Sequence, residues 1–537
     1  MEKYDGIIIG TGPNGLTTAA YLAKAGLKVL LLEKRFELGG GLATEQVTLP
    51  GFLHNTHAVY HSMVDCAPIF ADLELEERFR VKFIHPPLVM AMPLSDGRSL
   101  GIYSDVNKTC ESIAKFSKKD ADTYREVSHR YDAIMRKFIG PSTYLPVKEP
   151  LETIVELQQS EIGRFVNEIT EKSPKEVVDE LFEDEHVRAL MLYATCIWGL
   201  EYDQTGLGFL IPLYINRAAN YRLCVGGSHY LASAISKVIY ENGGLVLAAQ
   251  NIKRVVVQNG TATGVEMADG TVITADKFIV SSLDPEQTFM KLIGKENMDP
   301  DLTRCVEGWQ WEQESLYVLH MALEHAPQFT AAASDPMMNQ AFIYVIGYET
   351  EKDFMNHWEA VKKGEVPAQS GFNCSFPSVL DPLEAPPGFH TGLISELAAY
   401  DLKNGGAKMW HDYKFREEHA RQLMETLRRY APNITDENVL ATYIATPLDH
   451  ENKLWDMKKG GIKQGAYLTL QMGPFRPNEY CSHHRTPIKK FYVNGSCCYS
   501  GGTVIFGPGY LAANAIAEDL GIKKWWKVPA VAEDMTF

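Results

Sequence analysis

The stretch from Tyr4 to Thr44, YDGIIIGTGPNGLTTAAYLAKAGLKVLLLEKRFELGGGLAT, constrains the fold more than any other part of the 537-residue chain. The β-branched run Asp5 to Ile9 predicts a strand that stops at Gly10, and the alanine-rich run Leu16 to Ala25 predicts a helix. Between them Gly10, Gly12 and Gly15 stand at G-x-G-x-x-G spacing, with Pro13 and Asn14 inside it. Glycines at those positions let the backbone turn tightly and approach a pyrophosphate, whose charge the free N–H groups at the helix start stabilise. A second strand, Lys28 to Leu32, ends on Glu33, followed by Lys34. Glu33 is placed to accept hydrogen bonds from a ribose diol and to repel a 2′-phosphate.

A glycine fingerprint alone does not separate NAD from FAD, nor either from a structural turn. The strand before, the helix after and the acidic residue on the next strand together favour a dinucleotide. The continuation Arg35 to Thr44, RFELGGGLAT, resembles the R-x-x-x-G-G-x-x-x-T element of the FAD-binding family of amine oxidases, phytoene desaturases and prenyl-lipid escort proteins. That resemblance implies FAD, with Gly40, Gly41 and Leu42 packed near its flavin end. Many members carry Arg after the glycine pair where this chain has Gly41, so a side-chain contact is missing there.

The length suits an enzyme-sized globular chain with a large core. A formal net charge of −16 argues against nucleic acid and against anionic membrane surfaces. Nine cysteines, without C-x-x-C spacing, suit a reducing compartment better than a disulfide framework. No signal segment or membrane-length apolar run is present, which makes cytoplasmic the expectation. The terminal KKWWKVPAVAEDMTF, from Lys523, leaves peripheral membrane contact open, against a tail folded back on the body.

Further along, Thr48 to His61 is an extended run carrying His54, His57 and His61, each open to a packing role, an acid or base role, or metal ligation. By resemblance, His57 stands at the turn beside the isoalloxazine ring. Asn107 to Ile139 and Leu151 to Thr195 read as helices, with a capping box at Ser173-Pro174-Lys175-Glu176. The latter region resembles the substrate-cavity wall of phytoene-dehydrogenase-like proteins, which puts Trp198, Glu201 and Tyr202 near that cavity. Cys224 to Pro285 predicts a helix and then hairpins turning at Asn259-Gly260 and Asp269-Gly270. The resemblance makes Ile252 the residue whose backbone brackets the adenine. From Gln287 to Leu440 the pattern is mixed, with a strand at Ser315 to Leu323 and a helix at Phe415 to Tyr430. The Pro-rich turns Pro377 to Pro382 and Ala385 to His390 are also similar to the phytoene-dehydrogenase-like branch.

Arg485 to Asn514 resembles the family's closing loop, which adds Gly495, Gly502, Thr503 and Val504 to the FAD site and sets Tyr499 opposite His57. The helix starting near Gly509 offers its N–H groups to negative charge on a reduced flavin. Cys497-Cys498 reads as two packed thiols, a redox pair being the other option.

The expected fold is α/β: a Rossmann-like FAD-binding domain assembled from residues 1–65, 222–288 and 485–522, plus an α+β substrate domain with an antiparallel sheet and a helical lid. The substrate domain covers 66–221 and 289–484, its helical part lies near 107–200, and 523–537 form a tail. The resemblance implies an FAD-dependent desaturase or dehydrogenase that removes hydride and proton from an apolar, terpenoid or isoprenoid substrate, with oxygen, a quinone or another carrier as electron acceptor. Alternatives are a flavin amine oxidase, a redox-neutral isomerase or saturase, and a non-enzymatic prenyl-lipid escort protein. No metal site is expected, and oligomeric state is not specified.

Overall fold

The computed structural model describes residues 3–531. The strand Tyr4–Ile9 lies inside a seven-stranded sheet, and Ile7, Ile8 and Ile9 are all buried. Such an unbroken apolar run is what a parallel strand covered on both faces requires. It pairs in parallel with Val29–Leu32 on one side and Val272–Ser281 on the other. Leu245–Leu247 extends the sheet in parallel beyond Val29–Leu32, and Phe491–Val493 lies parallel against the end of Val272–Ser281. The antiparallel strands Ile252–Gln258 and Thr261–Met267 complete it. Their turn has Asn259 at φ 49° and Gly260 at φ 71°, the left-handed pair a two-residue hairpin needs.

Three distant stretches of chain therefore meet in one sheet. The helix Pro13–Lys24 covers it, packed against His229–Glu241 and Gly507–Asp519. Close packing against the last of these is required by Gly509, where a Cβ would lie 2.3 Å from the carbonyl oxygen of Asn14.

A second seven-stranded sheet runs in the order Val439–Ala445, Glu314–Leu323, His390–Ala399, Phe372–Ser375, Ile343–Ile346, Leu88–Pro93 and Ser99–Tyr103. It is antiparallel except where Ile343–Ile346 meets Leu88–Pro93. Helices between Val106 and Cys196 flank it, and the predicted capping box is present: Ser173 Oγ accepts from Glu176 N–H while the Glu176 carboxylate accepts from Ser173 N–H. Leu210–Ala218 packs with Lys118–Ile134 and Glu185–Cys196 to close one side of the molecule.

The end of the chain folds back. Trp526 is buried and stands edge-on to Tyr21, Trp525 stacks on the same ring at 5.4 Å, and Trp526 Nε1 donates to Asn514 Oδ1. The paired aromatics thus pack on the body, as a folded-back tail requires; residues 532–537 of the predicted tail lie outside the described residues. All nine cysteines are free thiols, and Cys497 Sγ and Cys498 Sγ stand 3.9 Å apart. Among the described residues no helix is long and apolar enough to cross a membrane.

Candidate active site

One end of the site is made of backbone. The helix Pro13–Lys24 starts at Gly12 with no side chain capping its first N–H groups, which leaves them available to an anion. A Cβ at Gly15 would lie 2.3 Å from the Gly10 carbonyl oxygen, so only glycine lets the helix sit this close to the strand end. At Gly12 a Cβ would meet nothing within 4 Å, and that position faces open space. Gly40, at φ 54°, closes over the turn, its would-be Cβ 3.0 Å from Gly12 Cα. Beside the turn Glu33 Oε2 accepts from Thr11 N–H at 3.0 Å and from Thr11 Oγ1 at 2.6 Å, while Oε1 accepts from Arg35 N–H. The chain leading to Ile252 runs along this edge, Gln250 N–H donating to the Glu33 carbonyl at 2.7 Å.

The other end is made of side chains. A cavity of about 1540 Å³, its opening included, begins at Gly12, Pro13, Asn14, Gly40, Gly41, Thr503 and Val504 and ends among Trp198, Ile197, Leu316, Val318 and Leu393. At the apolar end its polar side chains are tied to neighbours: Tyr60 OH donates to Asn373 Oδ1 at 3.1 Å, Asn373 Nδ2 to Tyr193 OH at 3.0 Å, and Trp198 Nε1 to Tyr221 OH at 2.6 Å. His57 and His450 stand on its wall with ring centroids 5.5 Å apart. Burial lowers His57 well below the usual imidazole range, with His450 adding to the effect, and burial lowers His450 to about 4. Asp456, also on the wall, is pushed up to about 6 by burial, with Asp284 and Glu33 contributing; it accepts from Gln464 Nε2. A second cavity of about 1040 Å³ adjoins the first and shares Ser62, Trp198, Thr503 and Ile505 with it; Phe138, Phe209, Leu213 and Tyr214 give it an apolar lining.

Residues 8–71 match the model of the NAD(P)-binding Rossmann-like domain. The whole chain is similar to a limonene dehydrogenase subunit of Castellaniella defragrans, 36% identical and covering 98% of this chain and 97% of that protein. The chain belongs to the phytoene desaturase-like family of FAD-dependent oxidoreductases. A lycopene-forming phytoene desaturase of a Paracoccus species is 23% identical over 96% of this chain and 97% of its own. An oxidoreductase structure from Methanosarcina mazei shares the fold at a TM-score of 0.60 and 18% identity, covering 96% of this chain and 100% of that one. As a family member this chain is an enzyme with FAD as its cofactor and an apolar small molecule as its substrate, which sets aside the escort-protein alternative.

Of the residues singled out in sequence, Gly12, Pro13, Asn14, Gly40, Gly41, His57, Thr503 and Val504 line the large cavity. Gly10, Gly15 and Gly495 shape the backbone behind it; a Cβ at Gly495 would lie 2.8 Å from the Ser282 carbonyl oxygen. Leu42 is fully buried in the core beneath the glycine turn, and Lys34 reaches across to the ring of Trp455. Tyr499 does not face His57. With Gly502 it lines the second cavity, and its hydroxyl donates to the Ser142 carbonyl at 3.3 Å, because the loop turns that ring toward the helical side. Of the three expected cavity residues only Trp198 lies on the wall. Glu201 pairs with Lys362 at 3.3 Å, and Tyr202 donates to Glu359 at 2.9 Å.

Sequence reasoning missed His450, Asp456, Tyr60 and Asn373. Only His450 carried a local signal: Thr446-Pro447-Leu448-Asp449 forms a capping box that starts the helix Pro447–Lys453 holding it.

Proposed function

We propose that this protein is an FAD-dependent dehydrogenase of terpenoid or isoprenoid compounds, and that its large cavity holds the flavin end of FAD against the substrate. Residues 1–65, 222–288 and 485–522 make up the FAD-binding domain in this reading, and 66–221 with 289–484 the substrate domain. Gly10, Gly12, Pro13, Asn14 and Gly15 surround the pyrophosphate, Glu33 and Lys34 the ribose, and Ile252 the adenine. Gly40, Gly41, Leu42, Gly495, Gly502, Thr503 and Val504 enclose the flavin end. The fit rests on the uncapped helix start and on Gly12, whose missing Cβ leaves the space a phosphate needs.

The observation that carries the reading is continuity: backbone-lined and apolar-lined walls belong to one cavity. The relatives named as a limonene dehydrogenase subunit and as a phytoene desaturase support a terpenoid in the apolar part. When bound, FAD supplies the acceptor for a hydride. The chain's residues supply orientation and dryness. Trp198, Leu316, Val318 and Leu393 hold an apolar skeleton, and the adjoining cavity under the helices accommodates a longer one. His57, neutral because it is buried, accepts the proton that leaves the substrate. Tyr499 lines the adjoining cavity. Oxygen, a quinone or another carrier takes the electrons on; the name of the limonene dehydrogenase relative makes that protein one part of a larger enzyme, which supports a second polypeptide near that step.

The test is a visible spectrum of the protein supplied with FAD, followed by anaerobic mixing with terpenoids, aromatics, alcohols and amines. Bleaching of the bound flavin by terpenoids is the expected result. No flavin band, or bleaching by amines alone, overturns the reading.

A further inference from the structure

The cavity wall carries more imidazole than one proton acceptor requires. His57 sits at the cavity, yet its Nε2 is buried without a partner. His450 packs against it at 5.5 Å on the helix Pro447–Lys453, and its Nε2 is likewise buried without a partner. Behind them His320, on the strand Glu314–Leu323, is fully enclosed with neither ring nitrogen paired. His320 stands 5.2 Å from His54, and His54 Nε2 lies 2.7 Å from Thr48 Oγ1, a partly exposed residue.

Leaving four buried ring nitrogens unpaired is unfavourable. Apolar side chains of equal size would pack there without that cost, so the nitrogens call for an explanation beyond packing.

We propose that His57, His450, His320 and His54 form a proton relay from the cavity to the protein surface at Thr48. This rests on the reading above, in which the reaction releases a proton. FAD, when bound, would take the electrons of one substrate C–H bond as hydride. The neighbouring carbon gives its proton to His57, and its C–H pair becomes the new double bond. Each imidazole accepts a proton on one nitrogen and releases one from the other, so the row returns to neutral when a proton leaves at Thr48. His57 and His450 lie 5.5 Å apart and His320 and His54 5.2 Å apart, distances joined by ring rotation or one interposed water, while His450 and His320 are linked in the structure only by the electrostatic effect of one on the other. The charged groups facing the row are Lys453, Arg35, Asp449 and Glu45, with Tyr443 tilted over His320. Lys453 and Arg35 disfavour a proton resting on His57, which suits transit rather than storage.

His320 does not touch the cavity, so it separates relay from substrate contact. In cofactor-free protein labelled with nitrogen-15 in histidine, the relay predicts averaged ring-nitrogen signals for His57 and His450 from rapid tautomer exchange. In His320→Phe they should resolve into fixed tautomers. In FAD-loaded protein mixed anaerobically with a bleaching substrate, a pH dye should report proton appearance together with flavin bleaching. His320→Phe should delay the proton at least tenfold while leaving the bleaching amplitude intact. His54→Phe, at the far end, should give the same delay and serves if His320→Phe does not fold. Fixed tautomers in the unaltered protein, or undelayed proton release in either variant, overturns the relay. Absence of bleaching by every substrate instead overturns the proposed function, and the nitrogen-15 result still decides the relay.

Discussion

The two ends of the cavity are built by opposite means. Around Gly12 side chains are excluded: a Cβ at Gly15 collides with backbone, and Gly40 rests on Gly12 Cα. Around Trp198 side chains do everything, with Tyr60, Asn373 and Tyr193 tying a polar network between apolar walls. A cofactor shared across a large family can be held by backbone geometry, which tolerates sequence change elsewhere. A substrate that differs among relatives is held by side chains, which can be exchanged without disturbing the sheet.

Gly15 carries the largest expected effect. Gly15→Val should push the helix Pro13–Lys24 off the strand end, costing about 3 kcal/mol or more and giving colourless or insoluble protein. Gly12→Ala should leave the melting temperature of cofactor-free protein unchanged, because its Cβ meets nothing, while lowering bound flavin. Flavin content and thermal melts of the pair check this; equal behaviour would erase the distinction between a packing glycine and a ligand-facing one.

That distinction marks how far the sequence could be read. Residues 4–32 declared strand, turn and helix because glycine spacing is local and each glycine answers to a neighbour a few residues away. The hairpin at Asn259-Gly260 and the capping box at Ser173 were legible for the same reason. The apolar end was not: its wall combines Tyr60, Trp198, Leu316, Asn373 and His450, residues joined only by the register of the second sheet. Tyr499 shows the same limit, since the loop's composition was readable while the direction of its ring depended on contact with Ser142.

Burial lowers His54, His61, His450 and His484 from 6.5 to about 4 in the folded protein. The unfolded chain therefore binds more protons between those values, and stability falls as pH drops from 6.5 toward 4. Each histidine contributes up to about 3 kcal/mol at the low end. Urea midpoints should decline across that window, and His450→Phe should flatten part of the decline. A midpoint independent of pH there would contradict the buried neutral state.

If Glu33 meets the ribose as proposed, Glu33→Gln should weaken FAD binding about tenfold, roughly 1.4 kcal/mol, since one charged acceptor is lost. A titration of cofactor-free protein with FAD measures it. Unchanged affinity would remove Glu33 from the cofactor site.

Trp198→Ala in anaerobic stopped-flow separates cofactor binding by backbone from substrate binding by side chains within the one cavity. Native flavin content and a native flavin spectrum are expected, with the terpenoid concentration needed for half-maximal flavin reduction raised about fivefold to tenfold, roughly 1 kcal/mol. Loss of flavin from this variant, or reduction by terpenoid with unaltered concentration dependence, would contradict it.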